Sequence, residues 1–168
     1  MGSYLNPGNK GFQERLNSEI YVDKTGLIEK TNAVLDTRQK FLCVSRPRRF
    51  GKSMAADMLA AYYERGEDAD LLFRSLKISK AESYRAHLNQ YDVIKVNIQE
   101  FLSMTGSMDE MLSMLKKYLV FDLMEHFDDI RFRDESNLIQ VMKDIYAKTK
   151  RAFVILIDEW DCLFREYQ

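Results

Sequence analysis

Little in this sequence would staple, kink or anchor the chain. Only two of its 168 residues are proline and seven are glycine, so long helices are permitted. The two cysteines, Cys43 and Cys162, show no metal-type or redox spacing, and both sit in or beside apolar runs, so they are expected to be reduced and buried. Charge of neither sign dominates. Lys and Arg total 25 against 26 Asp and Glu, for a formal net charge of −1, which excludes a whole-chain field drawing it to nucleic acid or an anionic membrane. There is no run of 18 apolar residues and no signal-peptide pattern; the reading is a soluble, cytoplasmic protein with no membrane partner. His87 and His126 stand alone, without Cys or carboxylates at ligand spacing, and are not read as metal ligands. No G-x-G-x-x-G occurs either.

What is present is an ordinary globular balance, 46% apolar and 30% charged, enough for a real core in one domain. Met1 to Gly11 is rich in Gly, Asn and Pro and reads as loop. Ile20-Tyr21-Val22 is a possible edge strand, and Asp23 offers an N-cap for a helix over about 25–35. Phe41-Leu42-Cys43-Val44 is a short apolar run of the kind buried on both faces of a parallel sheet. A helix is expected from Lys52 to Arg65, stopped by Gly66, then short helical pieces at 69–76 and 81–89. Val93 to Ile98 alternates as a second strand. Long helices follow at 107–126 and 135–148; Met104, Met108, Met111 and Met114 fall near helical spacing and read as a helix core face. Phe153–Ile157 is a third, buried strand. Strands alternating with helices predict an α/β fold with a largely parallel sheet.

Two segments carry chemistry. The first is Phe41-Leu42-Cys43-Val44, Ser45 to Phe50, then Gly51-Lys52-Ser53-Met54: strand, loop, helix, the context of a phosphate-binding loop. A polyphosphate needs donors that cost little to desolvate, and the amides and dipole of a helix N-terminus supply them. Gly51 lets the backbone approach without a Cβ, the Lys52 ammonium suits β- and γ-phosphates, and the Ser53 hydroxyl suits Mg²⁺. The usual first glycine of such a loop is Arg46 here, beside Pro47. Arg46, Arg48 and Arg49 form a dense basic cluster that could contact phosphate, bind nucleic acid or simply face solvent. The second segment is Asp158-Glu159 at the carboxyl end of the third strand, where α/β sheets place ligands. Asp158 would hold Mg²⁺ through water and Glu159 would polarise the water attacking the γ-phosphate. Asp161 is either a supporting acid or a surface cap.

Arg46-Pro47-Arg48-Arg49-Phe50-Gly51-Lys52-Ser53, with Tyr21-Val22-Asp23-Lys24-Thr25 and Ile157-Asp158-Glu159-Trp160-Asp161, resembles the bacterial AAA-ATPase-like family over about 5–166. The resemblance implies a P-loop NTPase of the additional-strand, catalytic-glutamate type, with helices flanking the sheet. It implies one domain over 1–168, of which 1–36 is a family-specific extension. It makes Arg46 through Met54 the nucleotide-binding loop, Ser53 and Asp158 the Mg²⁺ ligands, and Glu159 the catalytic base. It also puts Asp23 and Lys24 near the nucleotide, although Asp23 serves equally well as a helix cap. Trp160 stands where the family usually has Tyr. Members often carry a C-terminal domain resembling PD-(D/E)XK nucleases and can form homo-oligomers. This chain contains no Glu-x-Lys or Gln-x-Lys, so that nuclease chemistry is not expected within it. Family domains continue into further strands bearing a polar sensor residue and arginines. The chain is therefore expected to be an N-terminal fragment, truncated after the Walker B strand, with weak ATP binding and slow hydrolysis alone. Two functions stay open: ATP–Mg²⁺ binding with hydrolysis in the complete protein, or an ATP-gated module for protein or nucleic-acid contact with little turnover.

Overall fold

The computed structural model describes residues 2–45 and 51–166. The chain forms two compact units: residues 8–91, and residues 1–7 together with 92–168. Gly8–Tyr91 is helical, with α1 (Lys10–Leu16), α2 (Gly26–Asn32), α3 (Lys52–Tyr63), α4 (Asp70–Phe73), a 3-10 turn (Lys77–Lys80) and α5 (Tyr84–His87). The other unit contains β1 (Asp92–Asn97), α6 (Ile98–Ser103), α7 (Met108–His126), α8 (Leu138–Thr149), β2 (Phe153–Asp158) and α9 (Cys162–Glu166).

The helical unit is built on aromatic packing. Tyr62 and Tyr63, adjacent on α3, are both fully buried. The Tyr62 ring meets Phe73 edge-on at 5.4 Å, and Phe73 stacks on Phe12 at 4.8 Å. Buried hydroxyls need partners, and they have them. Tyr62 donates to the Tyr84 carbonyl at 2.7 Å and Tyr63 donates to Asn32 Oδ1 at 2.6 Å. Burial pushes the Tyr63 phenol well above its ordinary value, so it stays a neutral donor. α1 is tied to α3 by Arg15, whose Nε donates to Asp57 Oδ2 at 2.9 Å. α3 stops at Tyr63, ahead of the Gly66 stop signal. Glu64 leaves the helix to bridge Tyr91, with Tyr91 N donating to Tyr63 O at 2.9 Å and Arg65 N to Tyr91 O at 3.1 Å.

The mixed unit centres on a parallel two-stranded sheet in which Asp92 to Asn97 pair in register with Phe153 to Asp158. The N-terminal segment laces antiparallel along β1. Leu5 bridges Ile94, and Lys95 N donates to Tyr4 O at 2.9 Å. Asp122 on α7 fixes that lace by accepting from the amides of Ser3, Tyr4 and Leu5 at 3.1, 2.7 and 2.8 Å. The core gathers Ile94 and Val96 of β1, Phe101 of α6, Met111, Leu119 and Leu123 of α7, and Val141 and Ile145 of α8. Met108 and Met114 pack against it, whereas Met104 is exposed. Side-chain caps set the helix starts: Asn97 for α6, Ser107 for α7 and Asn137 for α8 each accept an amide from the first turn. At the amino end of the sheet, Asp92 is fully buried and Arg151 Nε donates to it at 2.9 Å.

Several expectations need correcting. Phe41–Val44 forms no strand, and Phe41 is 87% exposed. Apolar, β-prone residues become a strand only by pairing, and no ladder reaches this run. Cys43 is consequently exposed, though Cys162 is buried and no disulfide forms among the described residues. Ile20–Val22 is likewise not a strand. β2 is not fully covered, since Ile155 and Ile157 are each 54% exposed. α1 and α6 were not foreseen. The phosphate-loop positions Arg46, Pro47, Arg48, Arg49 and Phe50 lie outside the described residues. No helix among the described residues is long and apolar enough to cross a membrane.

Removing one partner of a buried ion pair strands the other charge. Arg151→Ala is therefore expected to cost the mixed unit about 3 kcal/mol, read as a lower urea midpoint. Adding Asp92→Asn should recover part of the loss.

Candidate functional site

The helical unit holds Gly51, Lys52 and Ser53 of the expected phosphate loop. Gly51 is the N-cap of α3 in the left-handed conformation, φ 80° and ψ 32°. Its carbonyl accepts from Ala55 N at 3.0 Å, which starts the helix. Lys52 and Ser53 are thus the first two helical residues, both half-buried. Unlike α6, α7 and α8, this helix has no side-chain cap, and its first turn carries no acid. The first amides of any helix lack intrahelical acceptors, and the dipole leaves them electropositive.

The surroundings of Gly51 are specific. A Cβ there would sit 3.2 Å from Lys24 Nζ and 3.4 Å from Met54 Cε. The ammonium of a residue far upstream thus reaches the loop glycine. Periodicity and capping signals could not have found that contact.

Lys24 is held by a tight turn. Asp23 Oδ1 accepts from Thr25 N at 2.9 Å and from Thr25 Oγ1 at 2.6 Å, while Asp23 Oδ2 accepts from Lys77 N at 2.8 Å. Thr25, fully buried, in turn accepts from Ile78 N at 3.1 Å. Burial disfavours the Asp23 carboxylate, but the hydrogen bonds from Thr25 and Lys77 outweigh it and hold the carboxyl below its ordinary value. Tyr21, beside this turn, is pushed up to about 12 by burial and by the Asp23 charge. Asp23 is thus an Asx-type anchor rather than the N-cap of α2, which is Thr25.

The mixed unit holds the acid pair. Asp158 closes β2 and is 9% exposed; its Oδ1 accepts from the Glu159 amide at 2.9 Å. Glu159 has φ 52°, left-handed and uncommon for a residue with a full side chain. Its carbonyl accepts from Cys162 N at 3.1 Å, which leads into α9. Asn97, at the carboxyl end of β1, is the register partner of Asp158. The acids therefore stand at the sheet's carboxyl end, and the buried Asp92–Arg151 pair occupies the other. Trp160 and Phe164 are exposed and meet edge-on at 5.7 Å. Among the described residues no group of three or more His, Cys, Asp or Glu is arranged to hold a metal ion.

The structure thus describes a left-handed glycine opening α3 at Lys52 and Ser53, and an acid pair at the carboxyl end of a parallel strand. The family model described as "AAA-ATPase_like: Predicted AAA-ATPase" matches residues 8–167, and the chain belongs to that family. No curated protein and no solved structure matches it.

Two substitutions test the local physics by urea unfolding. Gly51→Ala should cost about 1–2 kcal/mol, the penalty of left-handed backbone with a Cβ. Asp23→Asn should lower stability at neutral pH. Because folding depresses the Asp23 pKa, its contribution is present above the unfolded carboxyl value of about 3.9 and fades as pH falls below it. The two curves should therefore converge in acid.

Proposed function

We propose that this chain binds ATP with Mg²⁺ through Arg46 to Met54, and that the complete protein hydrolyses it. Family membership supports nucleotide use, and one observation carries the assignment to these residues. Gly51 adopts the left-handed, Cβ-free start of α3 that brings backbone amides to a phosphate, with Lys52 and Ser53 directly after it. Lys52 neutralises the β- and γ-phosphates. Ser53 offers a hydroxyl to Mg²⁺ and Asp158 a carboxylate through water. These are hard oxygen donors, as that ion requires, and Mg²⁺ is usually held by one or two carboxylates plus substrate phosphate rather than by an all-protein cage. Glu159 polarises the attacking water. Mg²⁺ supplies charge neutralisation at the phosphates, and the protein's share is positioning and electrostatics. The additional-strand, catalytic-glutamate classification, the extent of the domain, a nuclease-like C-terminal partner, homo-oligomer formation and a cytoplasmic location belong to this same proposal.

Titration calorimetry with Mg·ATP tests it. Lys52→Ala should abolish binding, a loss of a hundredfold or more. Glu159→Gln should leave the dissociation constant within about threefold while stopping phosphate release by the complete protein. If Glu159→Gln leaves phosphate release unchanged, or no release occurs at all, the enzyme reading falls and the ATP-gated interaction module takes its place. Full affinity in Lys52→Ala would remove the site.

A further inference from the structure

We propose that Glu64 is a proton-operated latch in the helical unit: neutral, it closes the entry to α1 onto the end of α3; ionised, it lets that entry open. The latch is independent of the nucleotide reading.

Three features of the fold carry it. First, the Glu64 carboxyl group is sealed from solvent, the residue being 0% exposed. Its Oε2 accepts from Gly8 N at 2.7 Å, while its buried Oε1 has no hydrogen-bond partner. An ionised carboxylate accepts about four hydrogen bonds when fully satisfied, and this one meets a single donor. A charge left under-bonded in the interior is costly. Second, Glu64 is the C-cap of α3. The carbonyl end of a helix is electronegative and disfavours a carboxylate. Third, turning the side chain outward would break a bonded backbone. Glu64 N donates to Ala60 O at 2.9 Å, Arg65 N donates to Tyr91 O at 3.1 Å, and the Asn89 side-chain amide donates to Glu64 O. The lighter element is the segment that enters α1. It is held by Gly8 N on Glu64 and by the N-cap Asn9, whose amide donates to Glu67 Oε2 at 3.4 Å. Moving that segment admits water to the carboxyl.

No Lys or Arg among the described residues forms an ion pair with Glu64. Lys10 pairs with Glu14 at 3.9 Å and Arg15 with Asp57 at 2.9 Å, His87 Nδ1 meets the Tyr91 hydroxyl at 2.6 Å, and Arg65 is exposed. Burial raises the Glu64 carboxyl above its ordinary value; the Gly8 bond opposes this, the charge of exposed Glu67 adds to it, and the chain's amino terminus opposes it. In the opened segment the carboxyl meets water and returns to its ordinary value of about 4.3. The closed form keeps its proton to higher pH. Closure is therefore favoured fully below about 4.3 and weakens as pH rises through the closed-state value, above which the loss is complete.

The full chain is titrated by carboxyl carbon-13 NMR, the Glu64 signal being the one missing from Glu64→Gln. Amide hydrogen exchange of Gly8 is followed over the same pH range, with intrinsic rates removed. Glu64 should titrate above about 4.3. Gly8 protection should fall about tenfold for each pH unit between that ordinary value and the observed midpoint, and then level off. Glu64→Gln keeps an acceptor for Gly8 and removes the proton equilibrium, so its Gly8 protection should not change over that interval. A midpoint at or below about 4.3 overturns the latch. So does Gly8 protection that ignores the midpoint, or the same pH dependence in Glu64→Gln. If Glu64→Gln does not fold, the signal is assigned through bonds in the parent chain. Agreement between the carboxyl midpoint and the levelling of Gly8 protection then supports the latch, and disagreement overturns it.

Discussion

Parallel pairing of β1 with β2 is the constraint that organises the mixed unit. Parallel strands cannot be closed by a hairpin; their connection must climb back across the sheet. Residues 98–152 therefore have to form a crossover, and α6, α7 and α8 are that crossover. The same pairing sets which ends of the strands coincide. Asp92 pairs with Phe153 at one end and Asn97 with Asp158 at the other. Because both strands run the same way, both carboxyl ends lie together. The amino end is sealed by Arg151 on buried Asp92, and the carboxyl end offers Asp158 and Glu159. One register thus places the buried ion pair and the acid pair at opposite ends of the sheet.

The helical unit solves a different problem. Its helices are short, and short helices are marginal without tertiary support. The support comes from α3, whose buried half, Met58 to Tyr63, contacts the rest through two tyrosines. Each tyrosine contributes apolar area and a hydroxyl that must be satisfied, so Asn32 and the Tyr84 carbonyl become obligatory partners. This leaves the first turn of α3, with Gly51, Lys52 and Ser53 half-buried, outside the packed half.

Elements with long, clean periodicity were legible in the sequence: α7 and α8 by their apolar stripes, and β1 and β2 by β-branched runs of the right length. α6 was not, because the period-two pattern of 93–98 runs into its first residue, Ile98, and a six-residue helix has too few turns to show its own period. α1 was masked by the Gly, Asn and Pro around it. Phe41–Val44 misled in the opposite direction: its composition is that of a strand, but strand formation is decided by a neighbour, which composition does not encode. The same distinction runs through the site. Gly51-Lys52-Ser53 and Asp158-Glu159 are local words and can be read locally. The contact of Lys24 with Gly51 joins residues far apart in sequence; only the resemblance pointed to Asp23 and Lys24 together, and for Asp23 a helix cap served equally well.

Gly51 and Glu159 share the left-handed region, at φ 80° and 52°, but for opposed reasons. At Gly51 the missing Cβ makes the conformation nearly free and admits the Lys24 ammonium, 3.2 Å from where a Cβ would stand. At Glu159 the same region costs about 1 kcal/mol, because a Cβ crowds the following carbonyl. Glycine would remove that cost and would also remove the carboxylate. The conformation persists because it is held from both sides: the Glu159 amide is bonded to Asp158 and the Glu159 carbonyl to the amide of buried Cys162. Backbone strain maintained by flanking hydrogen bonds is over-determined by its surroundings. The strain constrains how the acid pair can act. Glu159 N–H bonded to Asp158 Oδ1 fixes the Asp158 carboxylate, and the left-handed backbone at Glu159 ends the strand's extended conformation. Two neighbouring carboxylates in one extended strand would point to opposite faces. The left-handed backbone at Glu159 takes it out of that rule.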